Sequence, residues 1–462
     1  MFCLNSFGQT GKEYYNEGIS KYDIKDFRGA IADFTKSIGL NPNDADSYYN
    51  RGASNNKLTD YRGAIADYTK AIALNPNFSS AYFSRGVSKA NLADYRGAIA
   101  DYTEAIALNP YYADTYNNRG VSKADLEDYI GAIEDYTMAI VFNPYYADTY
   151  YNRGISKAKL GGYRYAIEDY TEAIALNPNY AHAYFNRGVS KAKLEDYSGE
   201  IEDYTEAITL NPNDEAAYNN RGISKAKLKD YRGAIEDYTK VIALNPNDAD
   251  AYNNRGNSKA NLEDYRGAMV NYTKAIALNP NHAVAYKNRG VSKAILKDHR
   301  GAIADFTKAI ALNPNDADAY RNRGISKAEL ADYRGEIEDY TKAIALNPND
   351  ADAYNNRGYS KVNLGDYRGA IKDYTNAIAL NPNQVKAYKN RGFSKAALED
   401  HKGAIADFTM AIELNPNYAV AYCLRGFSKI ILNQKDSGCS DISKGGELGE
   451  AGAYELIKKY CN

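Results

Sequence analysis

Metal ligation, nucleophilic catalysis and phosphate binding each need particular residue types at short, fixed spacings, and this chain of 462 residues offers few of them. Its four histidines, His182, His282, His299 and His401, stand far apart, and none has a second ligand one helical turn away. No metal site is expected, because two ligands on one helix face need a spacing of three or four residues. A nucleophile elbow, a phosphate loop and a dinucleotide fingerprint are all missing. The glycine-rich run from Lys444 to Gly452 lacks the Lys-Ser/Thr ending that would grip a phosphate, and it reads as a terminal irregularity. The four cysteines, Cys3, Cys423, Cys439 and Cys461, are too few for a disulfide framework in so long a chain. Cys439 and Cys461 are expected to clasp the last helix if the protein is exported and to stay thiols in a reducing cytosol. These absences point to a chain that is not an enzyme, with no cofactor.

The residues that do recur recur together. All 12 prolines fall 34 residues apart, from Pro42 to Pro416, without insertion or deletion. Counted from Gly11, twelve full repeats begin at residues 11, 45, 79, 113, 147, 181, 215, 249, 283, 317, 351 and 385, and a thirteenth begins at Ala419. Numbering the places of each repeat from one, place six is Asn almost throughout, place seven is Arg from Arg51 to Arg425, and place twenty-three is nearly always Asp. An ion pair from place seven to place twenty-three is expected to brace two helices.

Each repeat reads as two helices. In the unit Ala317 to Asp350, Tyr320, Gly324 and Leu330 are expected to line the contact face of a first helix. A second helix, from about Arg334 to Leu346, sets Ile337, Tyr340, Ala343 and Ile344 on one stripe. Asp332 precedes it as an N-cap, and Asn347-Pro348-Asn349 stops it, because Pro348 donates no backbone hydrogen bond and constrains the residue before it. Glycine at place eight costs about 1 kcal/mol of helix propensity, so its recurrence implies a close helix contact.

The period, the aromatic residues at places four and twenty-four, Gly at eight, Ala at twenty and twenty-seven in most units and Pro at thirty-two together resemble the tetratricopeptide repeat, here of a bacterial type. The match covers about residues 11 to 449, with Tyr in place of the frequent Trp at place four, and Glu200 and Glu336 in place of Ala at twenty. The resemblance implies an all-α fold, a right-handed superhelical solenoid of helix-turn-helix units. It divides the chain into a leader or signal remnant (1–10), twelve repeats (11–418), a degenerate thirteenth (419–449) and a C-terminal capping helix (450–462). It also implies that the first helices line a concave groove.

In such a groove the place-six residues Asn118, Asn152, Asn186, Asn220, Asn254, Asn288, Asn322, Asn356 and Asn390 form a carboxamide ladder. Each offers donor and acceptor to the backbone of an extended peptide, a pattern similar to the asparagine ladder of the tetratricopeptide arm of O-linked N-acetylglucosamine transferases. Place five changes along the chain, from Tyr49, Phe83, Tyr151 and Phe185 to Lys287, Arg321 and Lys389, and is expected to set selectivity and direction. The adjacent pairs Tyr111-Tyr112 and Tyr145-Tyr146 are candidate contact patches.

Lys and Arg number 57 against 59 Asp and Glu, a net charge of -2 that argues against nucleic acid as the partner. No apolar run is long enough to span a bilayer. The run LNSFGQT near the start resembles the cleavage region of exported bacterial proteins, which implies a periplasmic or cell-envelope location if the true start lies upstream of Met1, and a cytoplasmic one otherwise. The expected function is a scaffold binding a protein or peptide segment. The alternatives are a substrate-docking arm of a separate enzyme and, third, a helical-repeat nucleic-acid binder.

Overall fold

The computed structural model describes residues 9–461, so the expected leader falls almost wholly outside the described residues. The described chain is helical throughout and divides into two units. The unit ending at Asp230 holds α1 (Gly11–Asp23), α2 (Phe27–Leu40), α3 (Ala45–Lys57), α4 (Tyr61–Leu74), α5 (Ser79–Asn91), α6 (Tyr95–Leu108), α7 (Ala113–Asp125), α8 (Tyr129–Phe142), α9 (Ala147–Lys159), α10 (Tyr163–Leu176), α11 (Ala181–Lys193), α12 (Tyr197–Leu210) and α13 (Glu215–Lys227). The unit beginning at Tyr231 holds α14 (Tyr231–Leu244), α15 (Ala249–Asn261), α16 (Tyr265–Leu278), α17 (Ala283–Ile295), α18 (His299–Leu312), α19 (Ala317–Ala328), α20 (Tyr333–Leu346), α21 (Ala351–Asn363), α22 (Tyr367–Leu380), α23 (Val385–Ala397), α24 (His401–Leu414), α25 (Ala419–Ile431), α26 (Lys435–Glu447) and α27 (Ala453–Tyr460).

Local chemistry sets the helix ends. Thr10 and Glu13 form a capping box at the start of α1. Asp316 accepts from the Ala319 amide at 3.0 Å to open α19, and Asp332 accepts from the Gly335 amide at 3.1 Å to open α20. After α20 the Asn347 side chain accepts from the Asn349 amide at 3.3 Å, closing the Asn-Pro-Asn turn. Between paired helices the chain turns through place fifteen, which is left-handed at Lys25, Thr59, Ala93, Glu127 and their successors, and is Gly only at Gly161 and Gly365. Leu330, read from sequence as a contact-face residue, lies beyond the end of α19 in this turn and is 44% exposed. The helix register ends before it, at Ala328, and the chain turns through the left-handed Ala331.

The core is thin and repeated rather than massed. Ala302, Phe306 and Ala309 of α18 are buried, as are Ala285 and Gly290 of α17. A Cβ built on Gly290 would stand 2.8 Å from the Phe306 ring, which is the close contact that place eight exists to permit. Within each unit a first helix packs on its own second helix and on the second helix before it, and most first helices also touch the next first helix, whereas successive second helices do not pair in this way. First helices therefore lie on the tighter, inner side of each array.

The end of the chain is closely packed despite its eroded pattern. A Cβ on Gly426 would meet the Gly438 carbonyl at 2.5 Å, so α25 and α26 approach backbone to backbone. Ala453 of α27 joins a cluster with Cys423 and Ile442, flanked by Ile430, Leu456 and Ile457. Cys439 and Cys461 are joined by a disulfide, with Cα atoms 5.8 Å apart, that ties the end of α27 to α26.

Candidate functional site

The place-seven arginines form the frame on which the inner face is built. Arg323 of α19 donates through Nε and Nη2 to the two carboxylate oxygens of Asp339 on α20, at 2.9 and 2.6 Å. Its third nitrogen reaches back 3.0 Å to the hydroxyl of Thr307 on the preceding second helix, and its guanidinium lies 5.6 Å from the Tyr320 ring centroid. One side chain thus joins three helices by a two-point ion pair, a hydrogen bond and a cation–π contact. The same set recurs at Arg51, Arg85, Arg119, Arg153, Arg289 and Arg425 among others. Lys327 at place eleven adds a second cation 2.9 Å from Asp339. The expected ion pair is present; its further partner, the place-twenty-five threonine, recurs in every full repeat but carries no charge to mark it in the sequence.

On this frame the place-six asparagines stand half-buried along the first helices, from Asn118 through Asn152, Asn254 and Asn322 to Asn390. Several reach back 35 residues to place five of the preceding repeat. Asn186 donates to the Tyr151 hydroxyl at 2.8 Å, Asn288 to the Asn253 carboxamide at 3.2 Å and Asn390 to that of Asn355 at 3.4 Å. Asn356 instead donates to the Tyr340 hydroxyl at 3.2 Å. The contacts of Asn186, Asn356 and Asn390 each use one hydrogen of an amide that has two, whereas Asn288 spends both, the second going to the Asn257 carboxamide at 2.8 Å; all four keep acceptor capacity.

Place five is tied to place thirty-four of its own repeat. Tyr49 stacks on Phe78 and Tyr151 on Tyr180, both with centroids 4.8 Å apart, and Phe83 meets Tyr112 at 5.5 Å. Phe185 packs on Tyr204 at 5.7 Å. In the second unit Lys287 pairs with Asp316 at 2.8 Å, and Arg321 lies 3.9 Å from Asp350 and 3.1 Å from Asp318. Lys389 is half-buried, and that burial, with Lys386 nearby, pulls its ammonium below the usual lysine range. Of the paired tyrosines, Tyr111 and Tyr145 are 76% and 79% exposed, while Tyr112 turns in to Phe83.

Two clefts open between neighbouring first helices, and each includes a place-six asparagine. One of about 240 Å³ is bordered by Asn220, Tyr197, Glu200 and Lys227, and another of about 300 Å³ by Asn288, Asn257 and Tyr265. His282 is engaged locally, its Nδ1 accepting from the Ala285 amide at 3.4 Å and its Nε2 lying 3.1 Å from Asp250. Among the described residues no three His, Cys, Asp or Glu side chains cluster as metal ligands would.

The tetratricopeptide repeat family model matches residues 45–78, 147–180, 215–248, 249–282, 283–316, 351–384 and 385–418, and a second model of the same description matches 79–112 and 181–214. Among solved structures the chain is similar to YrrB, a TPR protein with an unusual peptide-binding site, at 25% identity over 40% of this chain and 96% of that one, with a TM-score of 0.39. MamA from Desulfovibrio magneticus RS-1 matches at 25% identity over 37% of this chain and 96% of its own, with a TM-score of 0.36. A tetratricopeptide repeat protein from Parabacteroides merdae matches at 19% identity over 54% of this chain and 99% of its own, with a TM-score of 0.39. No curated protein matches the chain significantly. Tetratricopeptide repeats serve in general as scaffolds for protein and peptide partners, and among the described residues no helix is long and apolar enough to cross a membrane. With more than half of its residues matched repeat by repeat, this chain belongs to the tetratricopeptide repeat family.

Proposed function

We propose that the chain is a non-enzymatic scaffold that holds an extended peptide or protein segment along its first-helix face. The observation that carries this reading is the line of half-buried place-six carboxamides, present on α7, α9, α11, α13, α15, α17, α19, α21 and α23, each with hydrogen-bonding capacity to spare. A backbone laid along that face gains about 0.5–1.5 kcal/mol per hydrogen bond, so several rungs are needed to offset the ordering of a flexible ligand. The residues of place five, anchored to place thirty-four at Tyr49, Phe83, Tyr151, Lys287 and Arg321, would present aromatic surface in the first unit and cationic surface in the second. In this reading residues 11–418 form the binding array, 419–449 a terminal repeat and 450–462 its cap. The Cys439–Cys461 disulfide favours an oxidising compartment.

The test compares partners captured from source-cell extract by the intact protein and by an Asn288→Ala, Asn322→Ala, Asn356→Ala variant shown by circular dichroism to keep its helices. Partners held by the intact chain and lost by the variant support the ladder. Equal capture by both moves binding to another face and overturns it.

A further inference from the structure

Place twenty is a small residue in all repeats but two, where it is Glu200 and Glu336. Glu200 is only 2% exposed, and its Oε2 has no hydrogen-bond partner. It sits at the floor of the 240 Å³ cleft between α11 and α13, whose other lining residues include Val189, Tyr197, Asn220, Ile223 and Lys227. We propose that this cleft is a side-chain pocket for a carboxamide, the tip of an Asn or Gln in a bound peptide, with Glu200 as its floor; the proposal rests on the groove reading above.

The charge layout selects the class of ligand. Lys193 and Lys227 stand at the rim, with the Lys227 ammonium 5.6 Å from the Tyr197 ring centroid, so an entering cation meets two like charges. An entering anion meets the Glu200 carboxylate at the floor. A carboxamide satisfies both levels: its N–H donates to Oε2, and its carbonyl accepts from the Asn220 amide or a lysine. It also pairs with either protonation state, through N–H to the carboxylate or reciprocally with the carboxylic acid. That tolerance matters because burial, aided by Asp196, raises the Glu200 carboxyl above its usual range, while Ser224 and Lys227 oppose the rise. The titratable groups around it are Lys193 on α11, Asp196 in the turn before α12, Tyr197 and Tyr204 on α12, and Lys227 on α13. Glu336 is equally buried with an unpartnered Oε2, but its rim places carry Glu329 and Asn363 instead of lysines, so it serves as an internal comparison.

The experiment uses the full chain carrying ¹³C at the glutamate carboxyl carbons, with the Glu200 resonance assigned by its loss in Glu200→Ala. That variant restores the residue of the sister repeats, as at Ala268 and Ala302, and circular dichroism confirms its fold. Butyramide, butylammonium and butyrate are titrated in separately at pH values on both sides of the Glu200 midpoint. Saturable movement of the Glu200 resonance with butyramide at both pH values, and not with the two ions, is the expected result. A silent response to butyramide, or a comparable response to either ion, overturns the carboxamide assignment. Because the probes do not need Asn288, Asn322 or Asn356, the rungs removed in the capture variant, a silent pocket beside ladder-dependent partner capture removes this proposal alone, and a responsive pocket beside ladder-independent capture removes only the ladder.

Discussion

The ammonium of Lys287 lies 2.8 Å from a carboxylate oxygen of Asp316, so place five of one repeat is bonded to the residue that caps the first helix of the next. Tyr49 with Phe78 and Tyr151 with Tyr180 join the same two places by ring contact. The change from aromatic to basic residues along place five is therefore matched, at these positions, by a change in its partner across the repeat junction.

A double-mutant cycle checks this coupling. Lys287→Ala is expected to lower stability by about 1 kcal/mol, since both members of the pair are partly shielded from water. Asp316→Ala should cost about 1 kcal/mol more, because Asp316 also accepts from the Ala319 amide. The pair coupling is read as the non-additive remainder in urea unfolding, and strict additivity would show that the contact contributes nothing.

Arg323→Ala leaves the buried Asp339 with Lys327 alone, and removes the link to Thr307. A loss of about 3 kcal/mol is expected, the range for breaking a buried ion pair from one side. Asp339→Asn should cost much less. The chain already contains that arrangement at Asn271, which accepts from Arg255 Nε at 2.8 Å and donates to the Gly267 carbonyl at 2.7 Å. Thermal unfolding of the two variants ranks them; equal losses would contradict the account.

Burial, with Asp332 adding, pushes the Glu336 carboxyl up to about 7, against the pull of Ser360. A carboxyl raised in the folded state favours folding while protonated, so its contribution is complete below about pH 4.5 and is lost as pH rises through about 7. Relative to Glu336→Gln, the intact protein should lose roughly 3 kcal/mol between those limits. Parallel stability curves for the two proteins from pH 4 to 8 would refute the shift.

Cys423 is buried beneath α27, and that burial raises its thiol to about 11. Reducing the Cys439–Cys461 disulfide, which closes a loop of sequence separation 22, removes about 3 kcal/mol of restraint on the last helix. Maleimide labelling of Cys423 under native conditions should therefore quicken at least tenfold after reduction. An unchanged labelling rate would mean that apolar packing of Ala453, Leu456 and Ile457 holds α27 without the crosslink.

The sequence by itself determined the helices, their pairing and the helix-turn-helix array, because caps, glycine contacts and Asn-Pro stops act over a few residues and repeat on one period. The Arg–Asp brace was legible for the same reason: places seven and twenty-three lie on paired helices of one unit. The left-handed place fifteen was not, since Glu, Lys and Ala there carry no glycine signal, and so the sequence does not show that Leu330 lies past the end of its helix. Only the tertiary structure decided that Asn186 meets Tyr151, that Lys287 meets Asp316 and that Glu200 Oε2 lies without a hydrogen-bond partner beneath a cleft. Those relationships join residues brought together by the stacking of neighbouring helices, and the angle and spacing of that stack are set by all the side chains packed in it rather than by any local spacing.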